Sequence, residues 1–83
     1  MPLNTTLQSA VTLALAGEWD QSHRIVQEYH DHFACWIHAV LHKIEGDAWN
    51  SRYWYARTRG QDYEAFDDPR AELQHIARLL AEA

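Results

Sequence analysis

The chain of 83 residues is long enough for one domain with one small hydrophobic core, and its four Trp, four Tyr and two Phe supply large apolar areas for that core. Its single cysteine excludes an intramolecular disulfide, and it has neither a secretory signal nor an apolar run of membrane-spanning length, so we expect a cytoplasmic protein. The net charge of −5 argues against a general nucleic-acid binder. We expect residues 1–83 to form a single helical domain.

The charge is unevenly distributed along the chain. Residues 43–59 have a net charge of +2, whereas residues 1–42 have −3 and residues 60–83 have −4. Two interpretations follow: the basic middle pairs with its acidic flanks inside one domain, or it forms a basic surface patch.

The first two predicted helices are joined by a glycine. A capping-box pattern at Thr5-x-x-Gln8 predicts a helix that begins near Thr6 and ends at Gly17. Its inner face contains Leu7, Ala10, Val11, Ala14 and Leu15. The second helix is predicted over residues 19–29, with Ser22, Ile25, Val26 and Tyr29 buried.

The central stretch predicts a second pair of helices. Asp31 is a candidate N-cap, and helical spacing then continues from residue 33 to residue 44. The apolar residues at this spacing are Phe33, Trp36, Ile37, Val40, Leu41 and Ile44. Gly46 is expected to end the helix and Asp47 to cap the next, which runs from Ala48 to about Thr58. We expect Trp49, Tyr53 and Ala56 to form the core face of that fourth helix.

The C-terminal part predicts a loop and one more helix. Residues 60–67 have the composition of a loop, which Tyr63 and Phe66 would attach to the core. Asp68-Pro69 has a cap and a first-turn proline in the order typical of a helix start. Leu73, Ile76, Ala77 and Leu80 share one face of this last helix. No segment alternates with a period of two, so we expect no sheet.

An internal repeat links the two helix pairs. Residues 17–22 and 46–51 align at an offset of 29 residues, and each segment has a small Ser where the partner helix would come close. Over residues 7–58 the chain resembles tetratricopeptide repeats, in which a Gly-Asp-Tyr-like turn precedes a small residue and then aromatic residues, here Tyr53 and Tyr55. The central run is also similar to one found in small uncharacterised bacterial proteins, a similarity that implies no activity.

The predicted fold is therefore all-α. The resemblance implies two antiparallel helical hairpins stacked in a tetratricopeptide-like manner, and a C-terminal helix closes the domain, giving about five helices. Only two hairpins are present, whereas a peptide-binding groove in this class usually needs three or more.

A candidate metal site lies on the third helix, opposite its apolar face. His38 and His42 are four residues apart, a spacing at which two imidazoles can share a metal ion, and Cys35 could add a thiolate. The alternative is that small residues here let a neighbouring helix approach, with both histidines in ordinary hydrogen bonds. The third and fourth ligands would have to come from elsewhere, with His30, His32 and His75 as possibilities. We therefore expect no cofactor and no stoichiometric zinc.

A candidate binding surface lies on the fourth helix. Its aromatic and basic residues could stack on a ligand or form an interface core: Arg52, Trp54, Tyr55 and Arg57. We expect a homodimer with Trp54 or Tyr55 near its interface.

The sequence favours a protein that works by binding rather than by catalysis. Its carboxylates are at predicted caps and on polar faces, where helix dipoles and solubility explain them. The leading hypothesis is a non-enzymatic helical module that binds protein and self-associates. The alternative is a metal- or small-ligand-binding protein, even an enzyme, that uses the face formed by Cys35, His38 and His42.

Overall fold

The computed structural model describes residues 3–82, which form five α-helices and one short 3-10 turn and contain no β-strand. The helices are α1 (Leu3–Leu15), α2 (Trp19–Val26), α3 (His32–Ile44), α4 (Ala48–Tyr55) and α5 (Pro69–Glu82), and the 3-10 turn is Tyr63–Ala65. The prediction of an all-α fold with about five helices is confirmed. Within residues 3–82, no helix combines the length and the apolar character that a membrane span requires.

Helix α3 lies at the centre of the domain. The other four helices all pack against it, and every residue from 34 to 42 is buried. The apolar stripe contacts α1 and α5, as expected for a core face. Because α2 and α4 cover the remaining sides, the face with Cys35, His38 and His42 is also buried.

The two hairpins, α1–α2 and α3–α4, are closed by the same contact. The hydroxyl of Ser22 donates to the carbonyl of Ala10 at 2.7 Å, and the hydroxyl of Ser51 donates to the carbonyl of Ala39 at 2.6 Å. The donor serine and the acceptor alanine of the second hairpin thus each lie 29 residues after their counterparts in the first. Because serine is small, the two helices of each hairpin approach closely at this point.

The turns inside the hairpins also correspond. Gly17 and Gly46 each have φ +84°, a left-handed conformation that side chains with a Cβ rarely adopt. Asp47 then accepts a hydrogen bond from the backbone N–H of Asn50 and caps α4, as predicted. Glu18, at the same place in the first hairpin, makes no such side-chain bond.

Helix α5 packs against the first helix of each hairpin, α1 and α3. It begins at Pro69 as predicted, and the carboxylate of Asp68 accepts a hydrogen bond from the backbone N–H of Arg70. Gln8 on α1 donates through its side chain to the carbonyl of Ala77 on α5 at 2.9 Å. The C-terminal helix thereby closes the domain.

Three predicted helix limits differ from the structure. Helix α1 already includes residues 3–5, so Thr5 and Gln8 lie inside it and the capping-box interpretation is wrong. Helices α2 and α4 each end about three residues earlier than predicted. In both, the second and third amides after the helix bond to the carbonyl three residues back, such as Tyr29 to Val26 and Thr58 to Tyr55, and this tightens the chain into a turn.

The predicted core face of α4 is wrong. Trp49 is 76% exposed and Tyr53 is 46% exposed, and Ala56 is exposed as well, whereas Ser51 and Tyr55 are buried. The close contact of Ser51 with α3 turns the side of α4 that carries Ser51 and Tyr55 inward, which leaves Trp49 and Tyr53 on the outer side. Ile44, predicted in the apolar stripe of α3, is also exposed because it lies in the last turn of the helix.

Candidate functional site

The outer face of α4 carries an aromatic strip, formed by Trp49, Tyr53 and Arg57. These residues are four apart and therefore lie on one side of the helix and its C-terminal turn. The rings of Trp49 and Tyr53 stack with centres 6.3 Å apart, and Arg57 donates to the hydroxyl of Tyr53 at 3.0 Å. The guanidinium carbon of Arg57 is 5.2 Å from the centre of the Tyr53 ring, in cation–π contact.

The four residues predicted to form a binding surface are not on one surface. Arg57 belongs to the aromatic strip, but Tyr55 is 4% exposed and lies in the core. Trp54 is half-buried and stacks on His38 with ring centres 3.9 Å apart. Arg52 points to the other flank of α4, where it pairs with Glu64 and lies over the ring of Tyr63.

Comparison of the two hairpins shows that the fold does not need an aromatic strip. The residues of the first hairpin that are 29 positions before it are Asp20, Arg24 and Glu28, all charged and exposed. Trp49 and Tyr53 thus replace charged residues at places that face solvent. The 29-residue offset thus indicates from the sequence that Trp49 and Tyr53 face solvent, contrary to the predicted core face of α4.

A histidine cluster lies between α2 and α3, formed by His23, His38 and His42. One nitrogen of each ring lies within 4.8 Å of the others. The ring centres are 4.6 Å apart for His23 and His38, 5.5 Å for His23 and His42, and 5.1 Å for His38 and His42. The structure therefore brings the predicted pair together with a third imidazole that sequence reasoning missed, because His23 is on another helix.

The other residues considered for a metal site do not join the cluster. Cys35 is buried, its thiol donates to the carbonyl of His30 at 3.7 Å, and burial raises the pKa of that thiol. His32 accepts a hydrogen bond from the backbone N–H of Arg59. His75 packs on Trp36. Among residues 3–82, none of these side chains belongs to a group close enough to share a metal ion.

Two tryptophans enclose the histidine cluster. Trp19 stacks on His23 with ring centres 4.8 Å apart and an angle of 9° between the planes, and its indole N–H donates to the carbonyl of Leu41 at 2.6 Å. Trp54 covers His38 from α4 in a parallel stack at 12°. The rings of both histidines are therefore held in defined orientations.

Burial controls the protonation of the cluster. His38 is 4% exposed, and burial together with the nearby His23 and His42 lowers its pKa to about 3. Burial, and then His42, also lowers the pKa of His23. His38 is thus a neutral imidazole at neutral pH, the form in which histidine binds metal ions.

A buried carboxylate joins three helices on the other side of α3. Glu72 of α5 is 1% exposed and accepts hydrogen bonds from the indole N–H of Trp36 at 2.8 Å and the hydroxyl of Tyr55 at 2.6 Å. Lys43 pairs with it at 2.8 Å. Burial, and then the hydrogen bond to Glu72, raises the pKa of the Tyr55 hydroxyl. Every polar group here is partnered, which indicates a structural role.

No protein-family model matches the chain, and no curated protein or solved structure matches it significantly. The features of the molecule that bear on its function are the aromatic strip and the histidine cluster.

Proposed function

We propose that the protein is a small, non-enzymatic helical module that acts through protein contacts and forms a homodimer through the aromatic strip. The observation that supports this most directly is the exposure of Trp49, 76% of whose surface is accessible, beside Tyr53. The corresponding surface of the first hairpin is charged. Trp, Tyr and Arg are the residue types enriched in the energetic centres of protein interfaces.

The aromatic strip is self-complementary under a two-fold axis. If two copies of α4 pair antiparallel about Tyr53, then Trp49 of one copy lies opposite Arg57 of the partner subunit. That arrangement allows cation–π contact across the interface, in addition to the contact between Arg57 and Tyr53 within each chain. A two-fold dimer is also the commonest closed assembly of one repeated surface.

The charges at the ends of α4 favour the same orientation. Glu45 and Asp47 lie at its N-terminal end, and Arg57 and Arg59 lie just beyond its C-terminal end. Antiparallel pairing brings the acidic end of each copy to the basic end of the other, whereas parallel pairing would bring like charges together. The chain can therefore self-associate despite its net charge of −5.

The remaining surfaces offer less for partner binding. In tetratricopeptide-like proteins a peptide-binding groove needs more than two hairpins. In this chain, α5 also covers the first helix of each hairpin. The eight residues of α4 form a small interface, below the size of stable complexes. We therefore expect a dissociation constant in the micromolar range.

Sedimentation equilibrium tests the dimer. The wild type should be partly dimeric at tens of micromolar, and a Trp49→Ala Tyr53→Ala variant should be monomeric. An Asp20→Ala Arg24→Ala variant is the matched control, because it changes the corresponding exposed positions of α2 and should leave the dimer intact.

Either of two results would refute the proposal. One is a wild type that stays monomeric throughout this concentration range. The other is equal loss of dimer in the α2 control and in the α4 variant, which would show that the aromatic strip is not the interface.

A further inference from the structure

The dimensions of the histidine cluster are those of a metal site. Three imidazoles that share a tetrahedral zinc ion, each at the usual Zn–N distance of about 2.0–2.1 Å, hold their ring centres about 5 Å apart. The centres of His23, His38 and His42 are 4.6 to 5.5 Å apart. One nitrogen of each ring already lies within 4.8 Å of the others, and rotation of the side chains would bring these nitrogens onto a common ion.

A carboxylate orients one of the rings. Nδ1 of His42 lies within hydrogen-bonding distance of a carboxylate oxygen of Glu45, one turn later on the chain. When Nδ1 donates to this oxygen, Nε2 is left with the lone pair that a metal ion binds. A carboxylate that holds a ligand histidine in this way is a regular feature of zinc sites.

The other two rings have nitrogen atoms that are not used by the fold. The hydrogen bonds found among residues 3–82 include one to the ring of His42 and none to the rings of His23 or His38. His38 is 4% exposed. No fully enclosed side-chain nitrogen or oxygen in residues 3–82 lacks a partner, so the nitrogens of His38 retain some contact with solvent and are not engaged by the protein.

We propose that His23, His38 and His42 bind one divalent transition-metal ion, zinc being the favoured ion, through one nitrogen of each imidazole. Three histidine ligands leave a fourth position for water or a small ligand, as in zinc sites that are open to solvent. The expectation of no stoichiometric zinc was based on two histidines and Cys35. Because His23 replaces the thiol, the reason for that expectation no longer applies.

The proposal does not depend on self-association, because Tyr53 and Arg57 contact Trp54 and not the three histidines. The Trp49→Ala Tyr53→Ala variant should therefore bind zinc as the wild type does.

Isothermal titration of the chelator-treated protein with zinc chloride at pH 7.5 is the test. We expect one ion per chain and a rise in the midpoint of thermal unfolding with zinc. Glu45→Gln should weaken binding by about 10–100-fold, the usual effect of losing a carboxylate that orients a ligand. His23→Ala should weaken it further, whereas His30→Ala, which removes an exposed histidine outside the cluster, should bind as the wild type does.

Circular dichroism establishes whether each metal-free variant is folded. If His23→Ala unfolds, His23→Gln replaces it, because glutamine preserves more of the side-chain volume. A wild type that binds no zinc at hundreds of micromolar would overturn the proposal. So would equal affinity in the wild type and in a folded His23 variant, because the ion would then be bound elsewhere.

Discussion

At the scale of single residues, a few backbone positions determine where the helices end. Gly46 has φ +84° and no atom lies within 4 Å of where a Cβ would stand, so its importance comes from backbone conformation and not from lack of space. Asp47 follows directly and caps α4. These two residues define the turn of the second hairpin.

Substitution of Gly46 should therefore lower the free energy of unfolding, and the loss should be larger for residues that tolerate a left-handed backbone less well. Gly46→Val should lower the free energy of unfolding by at least about 1–2 kcal/mol, since a side chain with a Cβ is disfavoured in that conformation. Gly46→Asn is the matched control and should cost less, because asparagine tolerates it better. Asp47→Ala should also cost less than Gly46→Val. Urea denaturation measures all three, and equal, negligible losses would remove this turn from the account of the fold.

At the scale of the helices, the packing of α2 on α3 controls the chemistry of the histidine cluster. His23 comes from α2, and His38 and His42 come from α3. Their mutual proximity and their burial lower the pKa of His38 to about 3, from an ordinary value of 6.5. Contact between the helices has thus moved the titration of His38 well below its ordinary range.

The metal-free protein should therefore lose stability on acidification. In the unfolded chain His38 binds a proton near pH 6.5, whereas in the folded protein it does so only near pH 3. The stabilising effect of the neutral ring is complete above pH 6.5 and is lost as the pH falls through this window, with a slope of up to about 1.4 kcal/mol per pH unit. Urea denaturation between pH 7.5 and pH 5 measures the slope.

A His38→Gln variant is the control for this pH dependence. It removes the titrating ring, and its slope over the same range should be smaller than that of the wild type. The groups that face His38, namely His23, His42 and Glu45 beyond it, remain in both proteins. Equal slopes would show that these neighbours, and not His38, cause the loss.

At the scale of the whole molecule, Glu72 connects the C-terminal helix to both helices of the second hairpin. Its carboxylate receives Trp36 and Lys43 from α3 and Tyr55 from α4, while its own backbone belongs to α5. The bond to Tyr55 also requires the side of α4 that carries Tyr55 to face inward. The orientation of α4, and hence the exposure of the aromatic strip, is linked to the position of α5.

Replacing Glu72 should lower the free energy of unfolding of the whole domain. Glu72→Gln preserves the shape but removes the charge that pairs with Lys43, and leaving a buried charge without its partner costs roughly 3–5 kcal/mol. Glu82→Gln, at the exposed end of the same helix, is the control and should have little effect. Chemical denaturation followed by tryptophan fluorescence measures the difference, and similar stabilities for the two variants would contradict the structural role of Glu72.

The candidate sites were only partly predictable. The i, i+4 spacing of His38 and His42 identified two members of the histidine cluster, but nothing in their neighbourhood indicated His23, which joins them through helix packing. Cys35 shares the helix and the face of this pair, yet its thiol donates to the carbonyl of His30 and does not join the cluster. For α4, aromatic composition indicated a surface, although the exposed rings are Trp49 and Tyr53 rather than Trp54 and Tyr55.

The sequence by itself determined the helices and their joints, because periodicity, the caps at Asp31 and Asp47 and the glycine turns act between residues that are close along the chain. Only the tertiary structure decided which faces are buried. The middle of helix α3 is enclosed on all sides, so His38 and His42 are interior, and the close contact at Ser51 turns the aromatic strip outward. Burial depends on contacts between distant parts of the chain, and an aromatic residue has the same local pattern whether it faces the core or solvent.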